Sequence, residues 1–262
     1  MFVKKNYQVV FIGAGNVATH LSLAMHQADF SISQIYSRSI ESAQSLAEKL
    51  NGNYTTRITE ITTDADVYIF SLKDDALREI PSAMPVNKGI WIHTSGSIPM
   101  DVFDGYATHY GVLYPLQTFS KQHKTNFLKI PLLIEGNSAS VNAVIFDIAE
   151  RLSENVVFMP SDKRKYLHLA AVFACNFSNF MYAIASQILE KQGIDWHLLQ
   201  PLIDETAKKL HSMHPKDAQT GPAVRGDRTI IELHKSLLDN EQTRNLYAMI
   251  SENIYSQTIL YD

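Results

Sequence analysis

The sequence predicts an α/β domain over residues 1–160, with a mostly parallel sheet and helices on both faces, followed by an all-α domain over residues 161–262. Three observations carry this. Short apolar runs alternate with amphipathic helical stretches through the first part, the pattern of strands joined by crossover helices. The strongest run, residues 8–13 (QVVFIG), is apolar without alternation, as a strand buried on both faces requires. From Ser161 onward apolar residues recur only at intervals of three and four.

Taken in order, residues 8–13 form the first strand, and a helix over 16–27 carries Val17, Leu21, Ala24 and Met25 on one face. Residues 31–37 (SISQIYS) form the second strand. Ser39 caps a helix with the stripe Ala43, Leu46, Ala47 and Leu50, and Gly52 stops it. A weak strand near 54–58 precedes strong ones at 66–72 (DVYIFSL) and 89–95 (GIWIHTS), and further strands fall at 111–116 and 130–135. A helix over 140–152 and a last strand at 155–159 complete the domain. Residues 161–191 then read as one long helix, with Leu167, Ala170, Ala171, Ala174, Phe177, Met181, Ile184 and Ile188 at helical spacing; its low charge predicts burial on most sides. Gly193 ends it, Asp195 caps a helix over 196–210, and two more helices cover 227–238 and 241–260.

Net charge is −4, which argues against a broad basic surface for nucleic acid. Cys175 is the one cysteine, so no intrachain disulfide forms and a reducing compartment, the cytoplasm, is expected. Neither a secretory leader nor a membrane-spanning run is expected from the lengths of the apolar stretches.

Gly13-Ala14-Gly15-Asn16-Val17-Ala18 has the pattern G-x-G-x-x-A between a strand and a helix. In that context Gly13 allows the tight turn, Gly15 lets backbone approach a pyrophosphate, and Ala18 lets helix and strand pack closely. The helix N-terminus offers free N–H groups to the anion. An NAD site usually carries an acid at the end of the second strand, to hold the ribose hydroxyls. Here that edge reads Tyr36-Ser37-Arg38-Ser39, with no acid between Ser31 and Ile40. Arg38, with Ser37 and Ser39, suits a 2′-phosphate, so NADP is the expected cofactor.

Ligands of open parallel sheets sit outside the carboxyl ends of the strands. Ser71 and Leu72 end the fourth strand, where a nicotinamide ribose would pass. Ser95 and Gly96 end the fifth, small enough for close approach to a flat ring, and Gln117 follows the sixth. In the helical part, His168 and Asn176 are polar islands in an apolar stretch. Eight residues of α-helix advance about 800°, placing them on neighbouring faces. Each is a satisfied core group or a ligand contact; His168 is the better proton donor. The segment 220–227 (TGPAVRGD) is rich for a linker: Thr220 can orient a substrate, Arg225 can anchor a carboxylate or pair with Asp227, and His234 lies two turns further on. His211 and His214 lack a third ligand, so no metal is expected.

The segments GAGNVA (13–18), YSRS (36–39), HTSGS (93–97), YPLQTF (114–119), HLAAVFACNF (168–177) and TGPAVRGD (220–227) resemble, in that order, Rossmann-like proteins carrying the helical domain of unknown function 2520. The first 160 residues are similar to the NADP-binding half of pyrroline-5-carboxylate reductase, deazaflavin-dependent NADP oxidoreductase and ketopantoate reductase. The resemblance implies a Rossmann domain, an all-helical domain of the 6-phosphogluconate dehydrogenase C-terminal type that forms a homodimer, and a redox site between them. Such proteins often place histidine before the PLQTF segment, where Tyr114 stands here. β-Hydroxyacid dehydrogenases and ketopantoate reductase often use a lysine four residues before an asparagine of the long helix, and Val172 stands there. The expectation is an NADP-dependent oxidoreductase acting on a small C=O or C=N substrate. In that reading His168 is the proton donor, Asn176 and Thr220 orient the substrate, and Arg225 holds an anionic group. The alternative is a catalytically silent NADP-binding sensor or scaffold.

Overall fold

The computed structural model describes residues 6–261. The chain divides into two compact units, 1–175 and 176–262.

The first unit holds eight strands: β1 (Gln8–Ile12), β2 (Ser31–Tyr36), β3 (Asn53–Thr55), β4 (Val67–Phe70), β5 (Ile90–His93), β6 (Tyr110–Pro115), β7 (Leu132–Gly136) and β8 (Val156–Phe158). They form one sheet in the order β3-β2-β1-β4-β5-β6-β7-β8. Every pairing is parallel except β6 with β7. Its principal helices are α1 (Asn16–Gln27), α2 (Ile40–Leu50), α3 (Asp74–Glu79), α4 (Ala139–Glu150) and α5 (Ser161–Ala171). The apolar run of β1 is explained by cores on both sides. Val9 and Phe11 pack in the core that holds Leu21 and Met25 of α1, Leu46 of α2 and Ile145 of α4. Val10 and Ile12 point the other way, into the core of Tyr68, Phe70, Phe103 and Leu77 of α3.

Ser39 caps α2 as expected, accepting from the Ser42 N–H. The stop differs from the sequence reading. Asn51 takes the left-handed conformation (φ 54°) that ends the helix. Gly52 serves a close approach instead: a Cβ there would lie 2.7 Å from the Ile32 carbonyl oxygen.

The second unit is helical: α6 (Ser178–Lys191), a 3-10 turn (Trp196–Leu199), α7 (Gln200–Lys209), α8 (Arg228–Ser236) and α9 (Glu241–Tyr261). Gly193, at φ 66°, follows α6. Asp195 accepts from the His197 N–H and Asp227 from the Ile230 N–H, so each caps the helix after it.

Residues 161–191 depart from expectation in three ways. Between α5 and α6 the six residues Val172–Phe177 form a π turn. A π turn closes over one residue more than an α turn, so the angle calculated between His168 and Asn176 for a continuous α-helix does not hold. The stretch is also not buried on most sides. Tyr166 is 66% exposed, Leu169 52% and Phe180 55%, because helical spacing marks an apolar surface without naming what covers it. Finally, this stretch is long and apolar enough to cross a membrane by length and composition, with a mean hydropathy of 1.4. No uninterrupted apolar run marks it, because His168, Asn176 and Ser178 break the stretch.

Candidate functional site

The glycine loop lies where β1 and β4 diverge toward opposite halves of the sheet. The Gly13 N–H donates to the Tyr36 carbonyl at 2.8 Å, and the Ser71 N–H to that of Ile12 at 2.9 Å. Gly13 has φ 116°, and a Cβ there would collide with the Ser71 carbonyl oxygen, with Leu72 close behind. No other residue fits this turn. Gly15 differs: a Cβ there would meet nothing within 4 Å. Packing within the protein therefore does not require this glycine, and the space beside it is open to a ligand. Gly15 is also the N-cap of α1, contributes no side-chain cap, and is followed by no acid in the first turn. The N–H groups that begin α1, those of Asn16 and Val17 among them, are left for an anion. Ala14 is buried against the core. The Asn16 side chain donates to the Phe119 carbonyl at 2.8 Å, His20 bonds the Ser120 carbonyl, and its ring stacks on Phe119. The loop after β6 is thus tied to the first turns of α1.

At the end of β2, Arg38 is exposed and makes no hydrogen bond or ion pair among the described residues. Ser37 Oγ accepts from the Ser39 N–H. Ser39 is more committed than the sequence reading allowed, since its O–H donates to Glu41 at 2.7 Å while its oxygen caps α2. That bond holds the Glu41 carboxyl below its ordinary pKa. The open helix terminus, the backbone of Gly15 with nothing packed beside it and the guanidinium of Arg38 fit a dinucleotide with a 2′-phosphate.

A second cluster lies at the carboxyl ends of β5 and β6. The Tyr114 hydroxyl and His168 Nδ1 are 2.8 Å apart, and the two rings meet edge to face with centroids 5.7 Å apart. Gly96 lies against the same imidazole: a Cβ there would come within 2.6 Å of His168 Cγ and Nδ1. Gly96 and His168, expected on separate grounds, are therefore in contact, and Tyr114 joins them. Burial raises the Tyr114 pKa, the Arg164 charge opposes that rise, and Cys175 adds to it. Ser95 is occupied by the loop: its hydroxyl donates to Asp74 at 2.8 Å and accepts from the N–H groups of Ser97 and Ile98. Gln117 is exposed and turns back to accept from the Thr118 N–H.

Behind this cluster is a buried polar network that the sequence reading missed. Arg164 is 1% exposed and pairs with Glu135 at 2.7 Å. It also donates to the Ile98 carbonyl at 2.6 Å and to Ser161 Oγ at 3.1 Å. Glu135 accepts in turn from the N–H and hydroxyl of Ser161, and the Met100 N–H donates to Ser161 Oγ. The start of α5 is thereby bound to β7 and to the loop that carries Gly96. His93 is fully buried beside this network, with Nδ1 accepting from the Ser95 N–H and Nε2 facing the Pro99 carbonyl. Burial, with the nearby Arg164 charge, pushes its pKa down to about 3.

In the second unit, Asn176, Thr220 and Arg225 are exposed. Asp227 is spent as the α8 cap and His234 Nδ1 bonds the Tyr247 hydroxyl at 2.8 Å. Thr220 borders an apolar cavity of about 290 Å³ whose wall includes Met181, Ile184, Tyr247 and Ile254. Among the described residues, no three His, Cys, Asp or Glu side chains gather as a metal site.

Comparison with known proteins adds the family. Residues 8–92 match the family described as NADP oxidoreductase, coenzyme F420-dependent, and residues 130–254 match a domain of unknown function, number 2520. A Bacteroides fragilis protein assigned as an NADP oxidoreductase shares 44% identity, with 97% of this chain and 100% of that one covered and a TM-score of 0.91. Two more distant structures share the fold. A 1-pyrroline-5-carboxylate reductase from Streptococcus pyogenes has 16% identity over 95% of this chain and 98% of its own, with a TM-score of 0.65. An imine reductase from Myxococcus stipitatus, in complex with NADP+, has 15% identity over 95% and 92%, with a TM-score of 0.63. Among curated proteins, none matches the chain.

Proposed function

The chain belongs to the NADP oxidoreductase family of its Bacteroides fragilis relative, and on that premise we propose that it reduces a small molecule carrying a C=O or C=N bond, with His168 as proton donor. When bound, NADPH supplies the hydride to the carbon of that bond. The residues that would hold it are Gly13 to Val17 at the pyrophosphate, Arg38 with Ser37 at the 2′-phosphate, and Ser71 and Leu72 at the ribose. Ser39 adds no free donor there, because its hydroxyl is engaged by Glu41 and its N–H by Ser37 Oγ.

The observation that carries the reading is the contact of His168 with Gly96 at the carboxyl ends of the parallel strands. Ligands of such sheets bind at that edge, and the glycine brings backbone directly against an ionisable ring. His168 Nε2 makes no hydrogen bond among the described residues, so this nitrogen is open to a substrate heteroatom. In the helical unit, Asn176, Thr220 and Arg225 are the groups proposed to orient a substrate and hold an anionic part of it. The homodimer is likewise part of this proposal, supported by exposed apolar residues such as Leu169, Phe180, Leu198 and Leu202.

The test is a fluorescence titration of NADPH and NADH against the wild type and Arg38→Ala, followed by turnover with a panel of cyclic imines and keto acids. Losing a charged phosphate contact is expected to weaken NADPH binding about 10- to 150-fold and leave NADH unchanged. Equal affinity for both nucleotides in the wild type would refute the Arg38 assignment. Tight NADPH binding with no turnover of any imine or keto acid would favour the silent sensor.

A further inference from the structure

We propose that Tyr114 is a positioning residue that holds neutral His168 with its proton on Nε2 and returns a proton to Nδ1 when the Nε2 proton leaves. This deepens the reading of His168 as proton donor and rests on it.

The argument begins with the bond between the Tyr114 hydroxyl and His168 Nδ1, 2.8 Å long. A neutral imidazole carries one N–H, and its other nitrogen accepts. Either the phenol donates to Nδ1 and the ring proton sits on Nε2, or Nδ1–H donates to the phenol oxygen. In the second arrangement the phenol O–H needs another acceptor. Tyr114 is 9% exposed, and its oxygen has no second hydrogen-bond partner among the described residues. A buried O–H without an acceptor is the costlier state. Burial also raises the phenol pKa, which keeps the donor proton in place. The ring has little freedom to escape this choice, since Gly96 is packed against Cγ and Nδ1 and the phenol meets its edge.

This settles which nitrogen faces the chemistry. Nδ1 is closed off by Tyr114 and Gly96, and Nε2–H is the free donor. As the substrate heteroatom takes the Nε2 proton, the O–H bond of Tyr114 breaks and its proton passes to Nδ1. The imidazole is neutral throughout and ends with its proton on Nδ1. The negative charge formally gained by the substrate heteroatom in the reduction then resides on the phenolate oxygen. Burial opposes that charge, and the Arg164 guanidinium offsets part of the cost; the proton moves because a bare imidazolate is a far stronger base than a phenolate. A proton from solvent returns Tyr114 and His168 to their starting state.

The experiment is nitrogen-15 NMR of the full chain with labelled histidine, at a pH raised until the histidine signals no longer move. His168→Gln assigns the signal, and the remaining histidine signals report whether each variant is folded. In the wild type, His168 is expected with Nε2 protonated and Nδ1 bare. In Tyr114→Phe, which keeps the ring and removes only the oxygen, that preference is expected to fall to a mixture of both tautomers. A wild-type signal with the proton on Nδ1 overturns the proposal, and so does an unchanged tautomer in folded Tyr114→Phe. Neither nucleotide nor substrate enters this measurement. Failure here leaves the NADPH titration standing, and failure there leaves the tautomer result standing.

Discussion

His93 and His168 both pack against one short loop, His93 fully buried and His168 partly exposed. His93 is fully buried with its pKa pushed down to about 3, and both ring nitrogens face backbone groups of the loop at Ser95 and Pro99. It is therefore neutral when folded. In the unfolded chain its pKa returns to about 6.5. Below that value the unfolded state binds a proton that the folded state refuses, so stability is lost as pH falls from about 6.5 toward 3 and is unaffected above it. Urea unfolding at about pH 7.5 and pH 5 should show a smaller stability difference for His93→Gln than for the wild type. Equal differences would show that His93 ionises freely in the fold. HTSGS was legible in the sequence as a small polar loop, and Gly96 as a point of close approach. The division of labour between the two histidines was not. Burial of His93 depends on Pro99 and Phe103, which follow it closely, and on Arg164 of α5, which lies far along the chain. In the same way, the reading of Ser39 as a phosphate donor stopped one residue short of Glu41, which takes its proton.

At the scale of elements, α5 is fastened to the sheet by a buried pair at its start and by the Tyr114–His168 bond further along. The segment 161–166 (SDKRKY) looks like a solvated charged turn, and Lys163 and Lys165 are exposed as such a turn would have them. Arg164 is different. A faint signal was present, since Arg164 lies three and four residues before Leu167 and His168 and so shares their face. Its acceptor Glu135 lies on β7, far along the chain, and no local pattern names that partner. This is also why the compact units meet at residue 175, well after the change from mixed to helical structure at Ser161. Removing the acid leaves a guanidinium buried without its counter-charge. Glu135→Gln is expected to cost about 3–5 kcal/mol, read as a fall in the urea midpoint with an unchanged slope. A loss under about 1 kcal/mol would mean that the pair behaves like a surface salt bridge.

At the scale of the whole molecule, the order of strands and helices was legible because β1 and β4 are apolar on both faces and α2 has a cap and a regular stripe. The reversal of β7 was not, because apolar content is the same for either strand direction. Nor was the exposure of the long helical stretch, since periodicity describes one chain and says nothing about a second. Apolar side chains exposed singly are ordinary, whereas this many on the helices are not. Sedimentation at micromolar concentration is expected to give about twice the 29.5 kDa chain mass. Leu198→Glu with Leu202→Glu, both on the exposed face before and within α7, should shift the species toward monomer. A wild-type monomer across that range would end the dimer proposal.

The stretch from Ser161 to His168 has a consequence for how this protein can vary. It is fastened at both ends, by Glu135 on β7 and by Tyr114 on β6. One residue added between the two fastenings would turn His168 by about 100° and raise it by about 1.5 Å, away from Tyr114 and Gly96. Related chains can therefore lengthen or shorten the exposed run 121–124 far more readily than this one. Within 162–167 they are free to change side chains, Arg164 and Leu167 excepted, but not to change their number.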